Sequence, residues 1–296
     1  MNPIVQTLPL SFILLAAAIV STWFRLPLIS NRLALWVLLF VAAIVLGLIE
    51  GYLRPISIIG LALLAVSVYF TAHATDPTTR FFAAASAVVI ALLLAFHVAP
   101  GFANPILINK LQLTPDALPY TMYANFDKAS AGLLFLALIC KRAHSLEDWR
   151  TVLLRSSQWL VPTIAATFAV GYALGYIKVA PKVPHFTLLF VVVNLLFVCV
   201  AEETFFRGFI QESLMNYLAK KGVSAASTIA LAVGAVLFGI SHIGGGVTYV
   251  LLATIAGLGY GYSYLKSGSI EAPIITHFVL NFVHFIGFTY PAIAHS

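Results

Sequence analysis

Ten long apolar runs, near residues 9–24, 33–50, 56–73, 81–99, 126–140, 159–180, 186–210, 223–242, 247–266 and 270–288, constrain this chain more than any other feature. Runs of this kind approach the ~20 apolar residues that a helix needs to cross a ~30 Å hydrocarbon core. Inside lipid, only helices and closed barrels satisfy every backbone N–H and C=O. Composition agrees: 61% of the 296 residues are hydrophobic and 9% are charged, at a mean hydropathy of +1.00, too little polar surface for a soluble globule. The expected fold is all-α, a polytopic transmembrane helical bundle of about 8–10 spans. The run at 126–140 has the shortest purely apolar part.

The first run has no Lys or Arg before it and no convincing small-residue cleavage site behind it, so it reads as a retained span and not a signal peptide. A net charge of +6 is of the sign that attracts nucleic acid, but the basic residues are scattered over loops, and nucleic acid is excluded as a partner. Odd-numbered loops hold Arg25, Arg32, Arg80, Lys141, Arg142, Arg150, Arg155, Arg207, Lys220, Lys221 and Lys266, against Arg54, Lys110, Lys128, Lys178 and Lys182 in even ones. The positive-inside rule then places the odd loops in the cytoplasm and both termini outside. Cys140 and Cys199 lie in apolar runs without paired spacing and read as packing residues.

Two regions are expected. Residues 1–185 form an N-terminal transmembrane region of unknown role, whose first four spans offer no constellation for chemistry; His73 and His97 read as packing or interfacial residues. Its polar loop, 100–128, holds Pro100, Pro105, Pro115 and Pro119, which prevent a continuous helix, and reads as a cap or linker. Lys141–Arg155 reads as a basic topogenic anchor. Residues 186–288 form the second region, and the chemistry concentrates there.

That region opens on a membrane-depth run ending in Glu202-Glu203-Thr204-Phe205-Phe206-Arg207-Gly208. Ionisable residues at such depth are costly, so they need a functional or structural reason. Adjacent helical residues point about 100° apart, which splits the two carboxylates. Glu203 stands four residues before Arg207, the favoured order for an ion pair, leaving Glu202 to face a cavity. A helix leaving the membrane with solvated charges is the plainer alternative. From Phe186 to Lys221 a straight helix would exceed ~50 Å, so part of it must protrude, tilt or break.

A hairpin turning at Gly222 brings Glu202 and Glu203 level with Ile240, Ser241 and His242. Phe238 lies one turn before His242, and Gly244-Gly245-Gly246 follows as a break permitting close approach. The last run carries His277 and Asn281, an i, i+4 pair, with His284 one turn on. Taken singly, His242 reads as a helix cap and the His277 stripe as helix–helix glue. Together, a Glu, a His and a His/Asn pair at compatible depth read as an active site.

EETFFRG, FGISH (Phe238 to His242) and HFVLN (His277 to Asn281) resemble the EExxxR, FxxxH and HxxxN motifs of the CPBP intramembrane proteases, which include type II CAAX prenyl proteases and bacteriocin-processing and immunity proteins. The resemblance covers about residues 186–288. It implies peptide-bond hydrolysis in a membrane cavity, with Glu202 and His242 activating water, His277 and Asn281 holding the carbonyl oxygen, and Glu203, Arg207 and Phe238 in support. The residue chemistry agrees, since preorganised donors stabilise a developing oxyanion.

The expected activity is an integral-membrane endopeptidase cutting a membrane-associated protein or peptide near the cytoplasmic face. No cofactor is required on the glutamate reading. In a zinc variant, Glu202, His242 and His277 would be the three ligands, although no HExxH spacing demands a metal. Two other classes stay open: a pocket binding or transporting a small ion or lipid headgroup without hydrolysis, and a non-catalytic scaffold or immunity partner.

Overall fold

The computed structural model describes residues 7–24 and 34–294. Arg25 and Arg32, counted in the basic asymmetry, lie outside the described residues, as do the extreme ends of the chain. Each apolar run holds a helix: α1 Leu10–Ser21, α2 Leu35–Ile49, α3 Pro55–His73, α4 Pro77–Ala95, α5 Phe126–Leu138, α6 Leu146–Ala173, α7 Thr187–Lys220, α8 Ala226–Ile240, α9 Val247–Ser267 and α10 Glu271–Gly287. Among the described residues α3, α4 and α7 are long and apolar enough to cross a membrane, and α1, α2 and α8 are shorter apolar helices. Large side chains such as Ile59, Leu63 and Val66 on α3 and Phe81, Phe82 and Val89 on α4 are exposed. That is the surface expected of an integral membrane protein whose helices face lipid.

Helix ends follow local chemistry. Asp76 caps α4 by accepting from the Thr79 N–H at 2.7 Å, and Pro77 takes a first-turn position where its missing N–H costs nothing. Ser145 and Asp148 form a reciprocal capping box at the start of α6. The segment expected to be a cap or linker, 100–128, contains a two-stranded sheet of β1 Ile106–Leu111 and β2 Tyr120–Tyr123. Its last residues, from Phe126, already belong to α5.

Packing divides the chain into two compact units. The first comprises residues 1–109, 122–140 and 192–202; the second comprises 110–121, 141–191 and 203–296. In the first, α1 packs on α2, α3 on α4, and α5 against all but α2 of these and against residues 193–199 of α7. The short apolar run at 126–140 fits this packing, because every residue of α5 from Phe126 to Leu136 except the half-buried Lys128 is buried. Cys199 is buried and donates to Asn194 Oδ1 at 3.3 Å.

In the second unit, α9 packs against α6, α8 and α10, and α8 against residues 204–220 of α7. Gly222, at φ +76°, makes the turn between α7 and α8. The connection after α6 is tied to the end of α10: the Lys182 N–H donates to Ile286 O at 2.7 Å and the Ala180 N–H to Gly287 O at 2.9 Å. Helix-end carbonyls that have no partner within the helix are satisfied in this way. Two stretches of α7, Val193–Cys199 and Thr204–Gln211, are π-helical, and the α-helical turn Val200–Glu203 stands between them. Such turns occur frequently at functional sites.

Candidate active site

The turn between the π-helical stretches carries both carboxylates. Glu203 is fully buried, and its Oε1 accepts from Arg207 Nη1 at 3.0 Å. The same oxygen meets His277 Nδ1 at 2.8 Å. A carboxylate paired with arginine only accepts, so Nδ1 of His277 carries a proton. Glu203, given only a bracing part by its i, i+4 spacing, also orients His277.

Arg207 is fully buried as well. Its Nη2 donates to Gly257 O at 3.0 Å, and its guanidinium lies 4.5 Å from the centre of the Phe238 ring. One turn further, Gln211 Nε2 donates to Gly261 O at 3.1 Å. Two side chains four apart on α7 thus read two carbonyls four apart on α9. Glycine at 257 is what permits this, because a Cβ there would stand 3.1 Å from Arg207 Nη2 and 3.2 Å from Phe238.

The hairpin register sets the rest. Phe206 and Phe238 meet edge to face at 5.3 Å, and a Cβ on Gly234 would contact Gln211 at 3.5 Å. His242 follows the end of α8, and its Nδ1 lies 2.8 Å from Phe238 O. A carbonyl can only accept, so Nδ1 is again protonated and Nε2 basic. The Phe238 ring lies 4.6 Å from His242 and 5.6 Å from His277. Tyr260 of α9 stacks on His277 at 4.6 Å and 16°.

His242, His277, Asn281 and His284 line one cavity of about 60 Å³, with Phe238 and Tyr260 in its wall. That is room for a few waters. His284 Nε2 lies 3.1 Å from Thr289 O. Glu202 Oε1 accepts from Lys128 Nζ at 2.6 Å. Sequence reasoning passed over Lys128, Gly257 and Tyr260. The small residues Gly257 and Gly261 at helical spacing were a legible sign of close helix approach, whereas nothing local marked Lys128, which is 74 positions from its partner.

Residues 184–283 match the family model described as type II CAAX prenyl endopeptidase Rce1-like. Neither the curated proteins nor the solved structures gave a match to the chain. The matched segment contains all three motifs from Glu202 to Asn281 and every cavity-lining residue named above except His284. Over residues 184–283, the chain is therefore similar to the type II CAAX prenyl endopeptidases, a family of membrane proteases.

Proposed function

We propose that this protein hydrolyses a peptide bond of a membrane-associated protein or peptide, with Glu202 and His242 activating the water and His277 and Asn281 stabilising the oxyanion. The observation that carries this reading is the cavity that gathers His242, His277 and Asn281, with both histidines protonated at Nδ1 by their acceptors. Attack of water on the carbonyl carbon transfers one proton to the base. The tetrahedral oxyanion then collapses, the C–N bond breaks, and the departing amine takes that proton. Asn281 donates to the oxyanion from its side-chain amide, and His277 donates from Nε2 as an imidazolium whose Nδ1 proton is held by Glu203, a contribution that grows where water is excluded. Glu203 and Arg207 hold His277 in place.

The basic asymmetry of the loops supports a cavity near the cytoplasmic face. No step is routed through zinc: among the described residues there is no group of three His, Cys, Asp or Glu that could hold a metal ion. Activity is expected to survive exhaustive chelation, and loss of activity restored by Zn²⁺ would replace glutamate chemistry with the zinc variant. The decisive experiment compares membrane proteomes of cells carrying wild type and Glu202→Gln. A precursor that accumulates uncleaved with the variant is expected. A folded Glu202→Gln protein with an unchanged proteome would sink the protease reading in favour of non-hydrolytic binding or transport.

A further inference from the structure

Lys128 lies outside the residues that match the family model, in the first turn of α5, yet it donates from Nζ to Glu202 Oε1 at 2.6 Å. The two side chains are only 19% and 12% exposed. Desolvating two charges offsets much of their attraction, so a pair like this depends on surroundings that hold its geometry. Those surroundings are built. Asp127, fully buried, meets His97 Nδ1 at 2.8 Å and accepts from Asn104 Nδ2 at 3.1 Å. It also accepts from the Lys128 backbone N–H at 2.8 Å, while Asn104 Oδ1 accepts from the Phe126 N–H at 2.9 Å. The first N–H groups of a helix have no partner within the helix; here side chains bind two of them and lock the turn that presents Lys128.

One turn later, Gly132 lets α5 come so close to α7 that a Cβ would fall 2.5 Å from Ala201 Cα. Ala201 immediately precedes Glu202. The lysine that the loop count treats as a topology signal is therefore aimed at a carboxylate by a buried network on one side and a glycine contact on the other.

We propose that Lys128 is a positioning residue for Glu202, fixing the orientation of its carboxylate and supplying the counter-charge it needs at membrane depth. This rests on the assignment of Glu202 as the base, and it gives the N-terminal region a direct part in the reaction. A structural anchor would affect folding alone; a positioning residue affects turnover in a folded protein.

The test uses the full-length protein in liposomes, with the precursor that accumulates in Glu202→Gln cells as substrate. Lys128→Met is expected to lower kcat by roughly 10²-fold, the scale of a misplaced reacting group, with KM nearly unchanged. Lys128→Arg should recover most of that loss, and adding Lys128→Met to Glu202→Gln should lower turnover no further. Wild-type kcat in Lys128→Met, or a loss that Lys128→Arg leaves unrescued at equal Tm, overturns the proposal while the protease reading stands. Wild-type activity in Glu202→Gln overturns both. If Lys128→Met does not fold, Asn104→Ala loosens the presenting turn and retains the lysine: a fall in kcat at constant KM supports the proposal, and an unchanged kcat overturns it.

Discussion

His277 and Glu203, 74 positions apart in the chain, meet through Nδ1 and Oε1 at 2.8 Å with both side chains almost wholly buried. Because Arg207 reaches the same oxygen, one carboxylate serves an arginine on its own helix and a histidine on another. Removing Arg207 leaves a buried negative charge without its guanidinium, which costs about 3–5 kcal/mol. Arg207→Ala should therefore lower both the expression and the Tm of the purified protein. Arg207→Lys should rescue it only in part, since a single ammonium cannot reproduce a fork that reaches Glu203 and Gly257 O together. An Arg207→Ala protein of normal Tm would count against the brace.

Asn281→Ala should lower kcat by roughly 10²–10³-fold with little change in KM, as for loss of one oxyanion donor. His277→Ala should cost more and also reduce Tm, because it takes a partner from Glu203 as well as a donor from the cavity. Steady-state kinetics combined with thermal shift separates the two. Equal kinetic losses with equal Tm would mean that His277 has no structural tie.

Gly257→Ala sets helix propensity against space. Alanine gains up to ~1 kcal/mol over glycine within a helix, but the added Cβ meets Arg207 at 3.1 Å, Phe238 at 3.2 Å and Ala235 Cα at 3.3 Å. None of the three is the loose end of a flexible chain: the guanidinium is bound at Glu203 and the ring is buried. Crowding of this kind costs about 1–3 kcal/mol, so a net fall in Tm is expected. A rise would show that α9 can move aside.

Lys182, in the connection between α6 and α7, donates to the carbonyls of Ala180 and Phe288. Burial pushes its ammonium down from 10.5 to about 8. Between about pH 8 and 10.5 the unfolded chain therefore holds more of this proton than the folded one, and the contribution of Lys182 to stability rises with pH across that window. Below about pH 8 both states are protonated and the charged group carries its full desolvation cost. Tm followed from pH 7 to 10.5 should climb more in wild type than in Lys182→Met. Parallel curves would show that Lys182 is solvated.

Orientation is tested by labelling cysteines in intact cells. A Cys at Lys221 should resist an impermeant reagent and one at Ser296 should react, as the eleven-to-five basic asymmetry expects. The reverse pattern would invert the whole arrangement.

Hydropathy made the helices legible, because each apolar run must bury or present a whole face. The turn at Gly222 made the pairing of α7 with α8 legible, and Phe206 does stand against Phe238. What did not show was whatever depends on distant partners or on helix winding. Lys128 looks like any loop cation until α5 is placed beside Ala201. Glu203 looks like half of a local pair until His277 arrives from α10. The sheet of β1 and β2 sits in a proline-rich stretch whose composition says only that a long helix is impossible.

The π-helical stretches of α7 matter to anyone who aligns or redesigns this helix. An i→i+5 turn holds one residue more than an i→i+4 turn, so the chain beyond it is out of phase by about 100° with an unbroken α-helix. A helical wheel drawn from Thr187 consequently misdirects Glu202, Arg207 and Gln211. Deleting one residue within Val193–Cys199 would leave the hydropathy profile untouched and rotate the carboxylates away from Lys128 and His277. In this helix the aim of the side chains is written in residue count rather than in residue type.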